Sequence, residues 1–319
     1  IIKDRSNILW IGTRNGLNKL DIKPKKFQVL KNSNFENDFV HNNTTAIYAN
    51  RNLIFIGTRF NGLHVYNKEN QSTVEYSLQQ KNFTDNYITS IYPINNNEIY
   101  VAGTNTLHIY NMKQNTFISA LTKFPELSKI NGLNVRIKCL LQDSLQNLWI
   151  GTNSGLFFYN YKMKRLVQYQ NQVNEKNIFP SNIINCLFQD NNGIIWIGTE
   201  KGLCNFDYNT TEFSEVLYSK HLLGNSTQNR IYSITQDDNN IIWIGSNSGL
   251  YKFYPESNES VYYTEKNGLP NNQVFSVLAH KNLIWFSTNK GLAYLSTKNE
   301  IVKKFHPSDG IQGYEFSAN

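Results

Sequence analysis

One short phrase recurs seven times along the chain, and it constrains the fold more than any other feature. The copies are LWIGTRNGL (9–17), IFIGTRFNGL (54–63), YVAGTNTL (100–107), LWIGTNSGL (148–156), IWIGTEKGL (195–203), IWIGSNSGL (242–250) and IWFSTNKGL (284–292). Aligned on Gly12, Gly57, Gly103, Gly151, Gly198, Gly245 and Ser287, they are spaced by 45, 46, 48, 47, 47 and 42 residues. A period in the forties, with tryptophan and β-branched residues at its centre, is the mark of a β-propeller. Each repeat then supplies one blade, and seven phrases predict seven four-stranded antiparallel blades.

The copy around Trp196 shows the four strands. IINCLFQ (183–189) is an apolar run suited to the innermost strand. Asp190-Asn191-Asn192-Gly193 follows as a tight turn, because Asn and Gly tolerate positive φ. IIWIGT (194–199), LCNFDY (203–208) and EFSEVLY (212–218) supply the other strands. No stretch holds a 3.6-residue apolar period for long, so little helix is expected.

Residues that recur once per repeat read as scaffold. Asp4, Asp143, Asp190 and Asp237 each stand six positions before a tryptophan, where a carboxylate can cap the first hairpin turn. Trp10, Trp149, Trp196, Trp243 and Trp285 read as packing residues between blades, with Phe55 and Val101 in their place elsewhere. The third copy lacks the glycine before its leucine, so a shorter turn is expected there. A propeller must also close its ring to hide its edges. The first repeat carries only Ile1-Ile2-Lys3-Asp4 before its phrase, and GYEFSAN (313–319) stands where another inner strand belongs. Pairing between these two termini is the expected closure, with residues 1–319 forming a single domain.

Composition adds bounds. The net charge is +7, but the basic residues are scattered, and the densest run is Lys23, Lys25 and Lys26. That pattern fits solubility better than a dedicated polyanion surface, and no nucleic-acid partner is expected. Cys139, Cys186 and Cys204 form neither a zinc motif nor a complete disulfide framework. Cys139 and Cys186 share a register (IKCLLQD and INCLFQD), as small apolar strand residues would. No apolar run approaches 18 residues, and no signal peptide stands at Ile1. The abrupt start inside a strand reads as a domain excised from a longer protein.

The chain carries no G-x-S-x-G, H-E-x-x-H, P-loop or G-x-G-x-x-G motif, and no catalytic residue, metal site or cofactor is assigned. His64 and His108 share a register in successive repeats and read as third-strand packing. Binding is easier to place, because one face of a propeller collects the turns after each second strand. The residue after the Thr or Ser opens that turn: Arg14, Arg59, Asn105, Asn153, Glu200, Asn247 and Asn289. All are polar, and Phe60 adds an aromatic beside Arg59. Arginine, asparagine and an aromatic together suit sugar hydroxyls, carboxylates or sulfates. The same residues also suit ordinary solvated turns.

The phrase D-x5-W-I-G-T-x-x-G-L resembles the two-component regulator propeller repeat. It stands here as DRSNILWIGTRNGL (4–17), DSLQNLWIGTNSGL (143–156) and DNNGIIWIGTEKGL (190–203), and DGIQGYEFSAN (309–319) resembles the family's phrase near a propeller's end. The third and seventh copies depart from the pattern at Ala102-Gly103 and Phe286-Ser287. The resemblance implies a periplasmic sensor domain of a hybrid histidine kinase/response regulator of the kind found in Bacteroidetes. It implies an oligosaccharide ligand, a neighbouring propeller and a β-sandwich on the same polypeptide, a homodimer in the full-length protein, and membrane attachment only through that parent. The family motif is structural and carries over no ligand-contacting residue. Two other readings stand beside it: a propeller enzyme such as a lyase, and a purely structural or dimerising propeller whose ligand binds elsewhere.

Overall fold

The computed structural model describes residues 2–3, 8–13, 16–21, 26–27, 43–77, 83, 85–131, 135–171, 179–216, 229–311, 313 and 316. Among these residues the chain builds six four-stranded antiparallel blades and one three-stranded sheet. We number the blades 1 to 6, spanning 44–76, 90–119, 137–169, 184–215, 231–263 and 274–304. Each runs up and down from an inner to an outer strand, and successive inner strands lie side by side around the axis.

The count of seven blades is therefore corrected to six. Among the described residues the first phrase forms a three-stranded sheet of Ile2–Lys3, Ile8–Thr13 and Gly16–Asp21. The reason is that W-I-G-T marks a second strand. It does not guarantee that four strands assemble around that second strand. The expected ring closure, by pairing of the two termini, falls on residues that lie largely outside the described ones. Among the described residues Ile2–Lys3 pairs with the second strand (Ile2↔Trp10, Lys3↔Leu9), and most of 313–319 is not among them. What joins the N-terminal region to blade 6 is packing. Phe27 stands edge-on to Phe305 at 5.0 Å, its N–H donates to the Asp309 carbonyl at 3.1 Å, and Lys26 pairs with the Asp309 carboxylate at 2.9 Å.

The recurring residues hold the blades together in two ways. Within a blade, Asp190 Oδ1 accepts from the backbone N–H of Asn192 and Ile194, each at 2.9 Å. Its Oδ2 accepts from the Trp196 indole at 2.8 Å. Asp237 repeats this with Trp243, and Asp143 with Trp149. The carboxylate thus satisfies a turn and a buried indole together, which is the structural role expected of it. Between blades, the tryptophan plugs the gap to the next sheet. Trp149 packs with Ile184, Ile195 and Phe206 of blade 4, and Trp243 with Val274, Ile284 and Phe286 of blade 6.

The glycine of the phrase permits that packing. A Cβ on Gly198 would stand 2.4 Å from Cys186 Sγ and 2.7 Å from Ile231 Cγ2 of the next blade. Gly151 is the same, against Cys139 and Ile184. These contacts explain the shared register of the two cysteines. They are small residues filling the space opposite a glycine.

Blade 2 departs from the sequence alignment by one position. Tyr100, not Val101, faces blade 3, while Val101 packs back among blade 1 residues. Ala102 pairs with Ser90 as Gly151 pairs with Cys139, so alanine takes the glycine place and Gly103 that of the threonine. Asp85 braces the altered turn, accepting from Thr104 N at 2.9 Å and from the Thr106 hydroxyl at 3.1 Å. After blade 2 come two short helical turns, Ala120–Lys123 and Ser128–Asn131, with Pro125–Leu127 between them. They bury Ala120, Leu127 and Ile130 against Phe157 and Tyr159 of blade 3.

Candidate functional site

Five of the six inner strands carry a β-bulge at the same place, near their start. The register slips between Thr44 and Ala46, Ile137 and Cys139, Ile184 and Cys186, Ile231 and Ser233, and Val274 and Ser276. The extra residue in each is Thr45, Lys138, Asn185, Tyr232 or Phe275. In blade 2 the residue one before Ser90 is Thr89. A bulged residue drops out of the ladder, so its side chain is re-aimed. Because the inner strands lie side by side around the axis, the five bulges place one such residue at the same end of blades 1 and 3 to 6, around the axial mouth.

Neighbouring members touch from blade to blade. Thr45 donates its hydroxyl to the Ile88 carbonyl at the entry to blade 2. Lys138 Nζ donates to Asn185 Oδ1 across the gap between blades 3 and 4. Tyr232 and Phe275, on blades 5 and 6, stand edge-to-face with centroids 5.2 Å apart. Asn185 in turn donates through Nδ2 to Glu200 Oε2 at 3.3 Å, and Glu200 Oε1 pairs with the Arg230 guanidinium. Arg230 lies over the Tyr232 ring, 5.8 Å from its centroid. The mouth is therefore basic and amidic over blades 3 to 5 and aromatic over blades 5 and 6. Lys138, Asn185, Tyr232 and Phe275 are all half-buried. Burial pushes the Lys138 ammonium below the usual lysine range, and the nearby Arg230 adds to that effect.

The turn residues singled out in the sequence form a rim just outside this ring. Arg59, Asn153, Glu200 and Asn247 each donate a backbone N–H to the carbonyl just before the inner strand of their own blade: Asn43, Arg136, Ile183 and Arg230, at 2.9 to 3.1 Å. Asn153 also accepts from Arg136 N at 2.7 Å, and Asn289 reaches Gln273 at 3.3 Å. These bonds tie the turn to the start of the inner strand in blades 1 and 3 to 6. Glu200 also reaches the ring, through Asn185. Arg59 lies over Phe60 and Tyr87, at 5.6 and 5.8 Å from their centroids, and Phe60 is exposed. The one-residue shift in blade 2 puts Thr104 at this register and leaves Asn105 exposed beyond it. Arg14 lies outside the described residues.

Sequence reasoning missed the ring, although a signal was present. The frames T-T-A-I, I-K-C-L, I-N-C-L, I-Y-S-I and V-F-S-V (44–47, 137–140, 184–187, 231–234 and 274–277) are alike except at their second position. There the residue type changes freely between a hydroxyl, an ammonium, an amide and an aromatic ring. Elsewhere, His64 and His108 are buried on third strands, and His108 lies 5.2 Å from the Phe83 ring, as packing requires. Among the described residues no three His, Cys, Asp or Glu side chains gather as a metal site would need. No described helix is long and apolar enough to cross a membrane.

Comparison with known proteins places this scaffold. The model of the two component regulator propeller family matches residues 131–154, 178–201 and 225–248. These three segments are similar to the two component regulator propeller repeat. Each matched segment spans an inner strand and its W-I-G-T or W-I-G-S phrase, so it contains one bulge residue of the ring. No curated protein matches the chain.

Among solved structures, the propeller is similar to an extracellular domain assigned to the hybrid two component system BT3049 of B. thetaiotaomicron. The TM-score is 0.79 at 20% identity, over 99% of this chain and 41% of that one. A second, from the same organism and assigned to the one component system BT4673, gives 0.70 at 20% identity over 90% and 36%. The chain thus spans well under half the length of these relatives. Virginiamycin B lyase of Staphylococcus aureus gives 0.64 at 13% identity over 87% of each chain, a likeness of fold alone.

Proposed function

We propose that this propeller is the ligand-sensing part of a larger two-component sensor, exposed outside the cytoplasm, and that it binds an oligosaccharide at the axial mouth. The carrying observation is the bulge ring. The scaffold repeats blade after blade, while the side chain aimed at the mouth differs in every described blade from 3 to 6. A purely structural ring has no use for a lysine, an amide and two aromatics in equivalent places. A sugar does, because its hydroxyls take hydrogen bonds from amides and cations while its C–H face lies against aromatic rings.

Signalling would follow from differential affinity. A ligand held by several blades, and by a neighbouring domain above them, favours the arrangement of domains that binds it best. A second propeller, a β-sandwich, a homodimeric arrangement and a histidine kinase on the same polypeptide belong to this proposal. It assigns no catalytic residue to the propeller.

Titration calorimetry of the propeller, alone and joined to its flanking domains, against a panel of plant and host oligosaccharides tests the reading. Micromolar binding that is weakened about tenfold or more by Tyr232→Ala or Asn185→Ala is expected. Binding that is indifferent to both substitutions would move the ligand off the axial mouth, and no binding by either form would remove the sensing role.

A further inference from the structure

Lys138 has an unusual position for a lysine. It is half-buried among inner strands, flanked by the enclosed thiols of Cys139 and Cys186, and its described hydrogen bond goes to a neutral amide, Asn185. The described ion pairs are Lys26–Asp309, Lys123–Glu98, Arg230–Glu200 and Lys252–Glu300, so among the described residues no carboxylate answers Lys138. Glu200 is the nearest acid in the network. Both its oxygens are engaged, one by Asn185 and the other by Arg230. Arg136 adds another cation at the rim. The mouth over blades 3 to 5 thus holds three cations and one carboxylate, and that carboxylate is already paired. A partly desolvated ammonium is costly unless an anion arrives to meet it.

We propose that Lys138 is the anchor for an acidic group on the ligand, so that the propeller recognises a negatively charged sugar. This rests on the sensing reading above. The shared chemistry is a sugar-borne oxyanion, supplied either by the carboxylate of a uronic acid or by a sulfate ester. Asn185 orients the ammonium, Arg230 is held beside it by Glu200, and the Tyr232–Phe275 pair offers an aromatic wall to the ring that carries the acid or to its neighbour. A charge-assisted hydrogen bond formed out of bulk water supplies the preference for the acid over a neutral sugar of the same shape.

The test is titration calorimetry on the 319-residue protein and on Lys138→Met and Lys138→Arg. The probes are a trigalacturonate, a sulfated disaccharide, and neutral galactose oligosaccharides of matching lengths. The expected result is that one acidic probe binds at least about tenfold tighter than its neutral counterpart, and whichever one does identifies the acid. Lys138→Met should remove that preference, weakening the acidic probe far more than its neutral counterpart, and Lys138→Arg should restore part of it. A thermal melt confirms that each variant is folded, with Lys138→Gln replacing any that is not. Equal binding of acidic and neutral probes, or a preference that survives Lys138→Met, would overturn the proposal and leave the sensing reading standing. If no probe bound at all, this proposal would fall, and the wider panel against the propeller joined to its flanking domains would decide the sensing reading.

Discussion

Lys138 of blade 3 and Asn185 of blade 4 occupy the same bulge in successive inner strands, and the ammonium of the first donates to the amide oxygen of the second. This bond joins two blades at the axis, yet the lysine pays for it with a desolvated charge. Replacing an unpaired, partly buried charge by an apolar side chain of similar length is usually neutral or stabilising. Lys138→Met should therefore leave the thermal midpoint unchanged or raise it by up to about 2 °C. A fall of several degrees in differential scanning calorimetry would show that the lysine serves the scaffold.

The buried carboxylates under the tryptophans should respond the other way. Removing Asp190 would leave the Trp196 indole and two backbone N–H groups without an acceptor. Asp190→Ala is expected to cost about 2–4 kcal/mol in urea unfolding. Asp143 also accepts from the Asn147 amide and from the Tyr208 hydroxyl of the next blade. Asp143→Ala should therefore cost about 1 kcal/mol more. Equal losses would mean that the Tyr208 bond contributes nothing between blades.

Ala102 and Ser287 stand at the glycine place in blades 2 and 6, but in blades 3 and 4 the glycine is packed too closely to accept a methyl group. In Gly198→Ala the new methyl would meet Cys186 and Ile231 well inside contact distance. Overpacking of this kind costs about 1–3 kcal/mol. Cys186→Gly in the same chain relieves only the contact within the blade and should recover part of the loss. Full recovery would show that the approach of Ile231 is not limiting.

Stability should fall on mild acidification. Burial holds the imidazoles of both His64 and His108 below the ordinary histidine range, with Asp85 opposing this at His108. A base with a lowered native pKa binds fewer protons folded than unfolded. Its contribution is present above the unfolded value of about 6.5 and is lost as pH falls from there through the native value. Urea midpoints should thus be level above about pH 7 and drop below it, and His64→Leu should flatten that slope. A slope unchanged in His64→Leu and His108→Leu would assign the loss to other groups.

The enclosed thiols give a chemical check on the inner strands. Burial raises the Cys139 thiol to about 12, and the Cys186 thiol is also raised by burial. The reactive thiolate is therefore scarce at neutral pH. Iodoacetamide at pH 7.5 should modify neither in the folded protein and both in urea. Rapid native labelling at either position would contradict the packing of Cys139 against Gly151 or of Cys186 against Gly198.

The sequence by itself determined the repeat, the propeller class and the roles of the recurring aspartates, glycines and tryptophans. Those roles are legible because they are local: an Asp six residues before a Trp meets it across one hairpin, whatever the rest of the chain does. Blade number was not local. A phrase records a second strand, and only the assembled sheets show that, among the described residues, six copies gather four strands and the first gathers three. The alignment of blade 2 was decided by strand pairing, which set Ala102 opposite Ser90 where the glycine of the phrase was expected. The candidate site was tertiary in the same sense. The variable turn residues could be picked out one repeat at a time, but most of them brace their own blade. Lys138, Asn185, Tyr232 and Phe275 lie 43 to 47 residues apart in the chain. They become neighbours only because each bulge turns its extra side chain out of the ladder and the inner strands lie side by side around one axis.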